Sequence, residues 1–259
     1  QWIELGESEV RELVADTVLS QAPIVRTSAV TGLGLDSLRA ALTRAAQQVV
    51  GTAQKRQRTG PFRMAIDRAF TMAGHGTVVT GSVLSGEVQT GATLMIQPGE
   101  VEVRVRGLQN HDRVVDAAHR GQRAAINLAG VHHGAIRRGQ ELASPGHLVP
   151  ATRLTARINL LASAPRPVRN QSRIRLHLGT AESMARLVLL ESDTLRPGQT
   201  TYAQILLNNP IVATWGQPLV IRSESPVTTV GGGIVLDPDA PTIRRGEDRS
   251  LAMARQLAS

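Results

Sequence analysis

Ile66-Asp67-Arg68-Ala69-Phe70-Thr71-Met72-Ala73-Gly74-His75-Gly76-Thr77-Val78-Val79-Thr80-Gly81 decides how this chain is read. It has the form of a strand, a glycine-broken loop and a second strand. Gly74 and Gly76 stand where a reversing chain needs backbone angles that other residues resist. Thr77, Val78, Val79 and Thr80 are all β-branched and suit a pleated sheet. Asp67-Arg68 is the anomaly, because neither side chain is ordinarily buried without a partner. Either the two pair with each other or with solvent at a barrel rim, or they serve a site.

Outward from this hairpin the chain keeps the pattern of short strands and turns. Val101, Val103 and Val105 alternate with Glu102, Arg104 and Arg106, and Gly86–Gly91 and Gln97-Pro98-Gly99 supply turns. Gly121–Leu128 starts a further strand whose one charge is Arg123. Leu154, Ala156, Ile158 and Leu160 alternate with Arg153, Thr155, Arg157 and Asn159; Ile174, Leu176 and Leu178 alternate with Arg173, Arg175 and His177. Both runs predict an apolar inward face and a basic outward one. Gly231-Gly232-Gly233 precedes no helix, so it reads as close backbone approach in a barrel strand.

The first 50 residues differ. Val10, Leu13, Val14 and Val18 follow helical spacing, with Glu9 and Glu12 placed near the start. Pro23–Thr27 reads as a short strand, and Leu38, Leu42, Ala45 and Val49 form the stripe of a second helix. Between them, Ser28–Gly34 is a strand-to-helix loop of the kind that binds ligands through backbone amides.

The 259 residues carry a net charge of +8, and Lys55 is the single lysine among 29 basic residues. The charge points to a polyanion, nucleic acid first. Aromatics make up 2% of the chain, too few to stack successive bases, so backbone and shape recognition of a folded RNA is expected. The absence of cysteine rules out disulfides and thiolate zinc sites and agrees with a reducing cytoplasm. No apolar run reaches the length of a membrane span. His75, His111, His119, His132, His133, His147 and His177 have no metal-ligand spacing, so no metal site is expected. No serine stands in a nucleophile setting, so no catalytic residue is assigned.

Gly74–Gly81 resembles the opening hairpin of the second domain of translational GTPases. Ile66–Phe70 is narrower: it is similar to the selenocysteine-specific elongation factors (SelB-type), where elongation factor Tu has another sequence. The resemblance continues through Arg175–Thr180 and Ser225–Gly233 and covers nearly the whole chain. It implies a mainly β fold of two consecutive small β-barrels preceded by an α/β remnant of a P-loop GTPase domain. The expected divisions are residues 1–50 (GTPase remnant), 51–60 (basic linker with Lys55, Arg56 and Arg58), 61–147 (barrel binding the aminoacyl end), 148–238 (second barrel) and 239–259. The last is a linker running into a helix over Leu251–Leu257, ahead of winged-helix modules that bind the mRNA selenocysteine-insertion hairpin.

The resemblance also implies partners and sites. The expected partners are selenocysteinyl-tRNA and the ribosome. GTP and Mg2+ belong to the full-length parent, because no G-x-x-x-x-G-K-[ST] occurs here and the fragment is not expected to hydrolyse GTP. Ser28 and Ala29 would touch the guanine base. Asp67, Arg68 and Arg123 match the residues that line the selenocysteine pocket, with His75 a further candidate for the aminoacyl end. A selenol is more acidic than a thiol of pKa about 8.5, so two guanidiniums suit its anion, and Asp67 would accept from the α-amino group or hold an arginine in place. Two charge-assisted bonds at ~1.5–3 kcal/mol each give roughly 10²–10⁴ in discrimination against a seryl hydroxyl. Arg153, Arg157, Arg173 and Arg175 are candidate tRNA-backbone contacts. The competing readings are barrels of another translational GTPase carrying ordinary aminoacyl-tRNA, the GTPase-like subunit of sulfate activation, and two barrels docking a protein.

Overall fold

The computed structural model describes residues 2–15, 17–53, 60–72, 76–243, 252 and 255–256. The chain divides into two compact units, residues 1–57 and 58–259. The first holds α1 (Trp2–Val14) and α2 (Leu35–Ala53). The first helix begins earlier than the apolar spacing suggests, so Glu4, and not Glu9 or Glu12, occupies its first turn. Val18 falls past its end and is fully exposed. Pro23–Thr27 forms no strand: no neighbouring strand lies within residues 2–53 to complete its backbone hydrogen bonds. The basic linker expected over 51–60 begins as helix, since α2 runs to Ala53; Lys55, Arg56 and Arg58 lie outside the described residues.

The second unit contains both barrels. The first uses β1 (Arg63–Met72), β2 (Gly76–Ser85), β3 (Glu87–Gln89), β4 (Thr93–Gln97), β5 (Val101–Asn110), β6 (Arg113–Val115), β7 (Ala117–His119), β8 (Arg123–Ala129) and β9 (Glu141–Ala143). Strand order β4-β9-β1-β2-β8-β5 closes on itself through β4–β5 pairing, so no edge is left open. Met64, Ile66, Val79, Val103, Val105, Ile126, Leu128 and Leu142 fill the interior. Gly81 has no alternative where β2 crosses β1: a Cβ there would strike the Ala65 carbonyl oxygen.

The second barrel uses β10 (Ala151–Leu160), β11 (Val168–Arg169), β12 (Ser172–Leu178), β13 (Ala181–Leu189), β14 (Thr194–Leu195), β15 (Thr200–Ile211), β16 (Pro218–Ser223) and β17 (Thr229–Asp237). It closes in the order β10-β15-β13-β12-β16-β17, with β17 returning to β10. The alternation expected of β10 and β12 holds for their apolar faces. Thr155 departs from it and is buried: residues 240–243 cross this face, where the Gln204 side chain donates to the Pro241 carbonyl and the Ala240 N–H donates to Arg153. The glycine run sits in β17, where a Cβ on Gly233 would strike the Arg157 carbonyl. Of the helix expected over Leu251–Leu257, residues 252, 255 and 256 are described and helical.

The barrels meet through a buried ion pair. Arg63 and Glu141, on neighbouring strands of the first barrel, are 5% and 3% exposed. The Arg63 guanidinium donates to both Glu141 oxygens, and also to Thr214 Oγ1 and Gln217 Oε1 of the second barrel, at 2.7 Å each. Ala143, Leu148 and Val212 pack as a small apolar cluster of their own. Burial, with the nearby Arg63 charge, holds the His147 imidazole below its ordinary pKa, against the opposing pull of Glu141. Glu141→Ala would strand a buried guanidinium, so the expected loss is about 3–5 kcal/mol of unfolding free energy, read from urea denaturation.

Candidate functional site

β1 carries a bulge. Ile66 pairs with Gly81 and Arg68 with Thr80, leaving Asp67 as the extra residue. A bulge lets two successive side chains leave the same face. Ile66 and Ala69 therefore pack toward the core, while Asp67 is half-buried and Arg68 exposed on the outer surface. Without the extra residue, simple alternation would aim Arg68 inward.

Arg123, at the start of β8, reaches Asp67 across β2. Its guanidinium grips the carboxylate with two nitrogens: Nη2 donates to Oδ1 at 3.1 Å, and Nη1 donates to Oδ2. Thr80 Oγ1 donates to Asp67 Oδ1 at 2.7 Å, and Arg123 Nη2 lies 3.5 Å from the same hydroxyl. The structure thus brings Asp67 and Arg123 into one hydrogen-bonded unit with Arg68 beside it. Arg68 has no hydrogen-bond partner among the described residues. The Arg123 side chain is 54% exposed and that of Asp67 24%. Of the two roles open to Asp67, accepting from an α-amino group or holding an arginine, the second is the one seen here, with Arg123 as the arginine. His75 lies outside the described residues.

Thr80 is a site residue that the sequence alone did not single out. Its signal was its place in the β-branched run, and only the pairing register shows that it stands beside the bulge.

Ser28 closes its own loop. Its N–H donates to the Leu33 carbonyl at 3.0 Å, its carbonyl accepts from Gly32 at 2.9 Å, and its Oγ accepts from Thr31 at 3.3 Å. Ala29 is exposed at the tip.

The four arginines expected to contact RNA do not share a face. Arg153 and Arg157 lie on β10, Arg173 and Arg175 on β12, three strands apart around the ring in either direction. Strand pairing adds two that the sequence did not mark: Arg186 stands directly opposite Arg173, and Arg222 opposite Arg175. Like charges directly across a sheet are unfavourable. Two carboxylates moderate them: Glu182 bonds Arg175, and Glu224 lies 3.0 Å from Arg173. The Arg175 hydrogen bond holds the Glu182 carboxyl below its usual range. This surface remains net cationic. Arg153 is half-buried beside the crossing segment 240–243.

Comparison with known proteins places this arrangement. Residues 76–143 match the family model "Elongation factor Tu domain 2", and residues 151–242 match "Selenocysteine-specific elongation factor, beta-barrel domain". The two closed barrels are those of the elongation-factor class. Within that class, the chain is a homologue of the selenocysteine-specific elongation factors. It is 36% identical over 244 residues to the selenocysteine-specific elongation factor of Desulfomicrobium baculatum, covering 94% of this chain and 38% of that protein. It is 31% identical over 245 residues to elongation factor Tu 2 of Streptomyces avermitilis, covering 90% of this chain and 61% of that one. A crystal structure of the bacterial selenocysteine-specific elongation factor EF-Sec shares the fold at TM-score 0.78 and 24% identity, over 98% of this chain and 40% of that one. The chain thus spans about two fifths of the selenocysteine-specific relatives it matches. No helix among the described residues is long and apolar enough to cross a membrane.

Burial alone would raise the Asp67 carboxyl. Hydrogen bonds from Arg123 and Thr80 overcome that, and with the charges of Arg123 and Arg68 they hold it below its ordinary value. A carboxyl depressed in the folded chain binds fewer protons than the unfolded one. Its contribution is therefore present above about pH 3.9 and lost as pH falls through the folded value. Asp67→Asn is expected to flatten the acid limb of stability below about pH 4. At neutral pH it should shift stability by no more than about 1 kcal/mol, because the pair is half-exposed. Urea midpoints measured from acid to neutral pH check both statements.

Proposed function

We propose that this chain is the tRNA-gripping part of a selenocysteine-specific elongation factor. In this reading it binds selenocysteinyl-tRNA and, under the control of GTP and Mg2+ bound in the rest of the factor, delivers it to the ribosome in the cytoplasm. The carrying observation is the bulged strand that turns Asp67 and Arg68 outward beside Arg123, in a chain homologous to these factors. Arg68 and Arg123 recognise the ionised selenium; His75, in the same hairpin, is a further contact for the aminoacyl end. Ser28 and Ala29 contribute to the guanine site. The Arg173, Arg175, Arg186 and Arg222 face, with Arg157 on the far side as a separate contact, binds RNA phosphates.

A neutral seryl hydroxyl gives the two cations no matching charge, so selectivity is electrostatic. In the intact, GTP-loaded factor, Arg123→Ala is expected to cut the preference for selenocysteinyl- over seryl-tRNA by at least about tenfold, measured as a ratio of dissociation constants. An unchanged preference overturns the reading. The similarity to elongation factor Tu 2 favours a second reading, ordinary aminoacyl-tRNA as cargo, and equal binding of unselected aminoacyl-tRNAs by the unaltered factor would select it. Either cargo predicts affinity that falls steeply with salt, and Arg173→Ala together with Arg222→Ala should lower the slope of log K against log salt by about 1–2. A salt-independent interaction would instead indicate a protein partner.

A further inference from the structure

We propose that Asp67, fixed by Thr80, sets a charge threshold at the site: it is a resident carboxylate that holds Arg123 and yields it only to an anionic side chain. This rests on the selenocysteinyl-tRNA reading and assigns Asp67 and Thr80 control over the release of Arg123 within it.

Three features of the geometry lead there. First, the ligand-free Arg123 is committed, gripped through both terminal nitrogens by Asp67. Second, Thr80 donates to the same carboxylate at 2.7 Å, so Asp67 is held at its post whether or not Arg123 is attached. Third, the pair sits on an outward surface with Arg123 half-exposed, where an ion pair is weak enough to be exchanged. A carboxylate locked in place with a solvent-accessible guanidinium is suited to trading that guanidinium to a competitor of equal charge. A hydroxyl offers a neutral acceptor, with no charge of its own to set against the Asp67 carboxylate. Arg123 therefore stays with Asp67 when serine is presented and gives seryl-tRNA nothing. An ionised selenium competes as an anion, and Arg68, exposed on the same face and without a hydrogen-bond partner among the described residues, adds its charge to the attraction.

This differs from two simpler roles. If Asp67 contacted the α-amino group common to all aminoacyl-tRNAs, its loss would weaken every cargo alike. If Asp67 only aimed Arg123, its loss would weaken selenocysteinyl-tRNA alone.

The experiment measures dissociation constants of the intact GTP-loaded factor for selenocysteinyl- and seryl-tRNA in the unaltered protein, Asp67→Asn and Thr80→Val. Both substitutions lie on the barrel's outer face or beside it, and thermal unfolding confirms that each variant is folded. The expected result for Asp67→Asn is seryl-tRNA binding strengthened about three- to tenfold and selenocysteinyl-tRNA binding strengthened by at least the same factor, because the selenium no longer has to displace the carboxylate. Thr80→Val moves in the same direction by a smaller factor. Selenocysteinyl-tRNA binding that is weakened or unchanged in Asp67→Asn overturns the threshold. A lack of preference in the unaltered factor is a separate outcome: it removes the proposed function itself, and the threshold with it.

Discussion

The barrel pair depends on one buried guanidinium. Arg63 is withdrawn from water at the seam, and its cost is met because Glu141, Thr214 and Gln217 take up donors on all three of its nitrogens. Glu141 comes from the first barrel and Thr214 and Gln217 from the second, so neither barrel satisfies the group alone. An apolar seam of the same size would bind as well but would tolerate sliding. The directional hydrogen bonds of Arg63 to Glu141, Thr214 and Gln217 favour the docking in which all of them are made. Glycines let the surfaces close: a Cβ on Gly139 would crowd Ala181, and one on Gly179 would approach Gln217 and Glu141.

That anchor lies on the same strand as the candidate site. Arg63 begins β1 and Asp67 stands four residues along it. Two register shifts separate the strand's roles, one after Arg63 and one at Asp67. The first end of β1 is buried against β9 and the seam, and the second end is turned out to solvent. The strand therefore transmits a fixed reference: the docking that Arg63 enforces also fixes where the bulge presents Asp67 and Arg68 relative to the second barrel's arginines.

Much of this was legible in the sequence because strand alternation is local. The faces of β10 and β12 could be read from Leu154–Leu160 and Ile174–Leu178, and the Asp67-Arg68 anomaly announced itself inside an apolar run. What was hidden depends on pairing between distant strands. Arg186 and Arg222 become neighbours of Arg173 and Arg175 only through register, and Thr80 meets Asp67 only through the bulge. Arg63 and Glu141 look like ordinary surface charges until the second barrel covers them. Thr155 fits an outward position and is nevertheless buried, because residues 240–243 cross over it. Pro23–Thr27 has strand composition but no strand beside it among the described residues of its own unit, and composition cannot supply a hydrogen-bonding partner.

The two barrels treat charge in opposite ways, and this bears on how recognition is divided between them. At the first, Arg123 is matched atom for atom by Asp67, leaving an excess of one cation, Arg68, on a small patch. At the second, four arginines face one another in cross-strand pairs, with two carboxylates between them. A compensated site contributes little long-range attraction but responds sharply to the charge of a single group placed on it. An undercompensated surface attracts any polyanion and discriminates poorly, since its field is summed over several charges and screened by salt. On the proposed reading, affinity and selection thus have separate physical seats: the second barrel supplies pull on an RNA, and the first tests what the RNA carries.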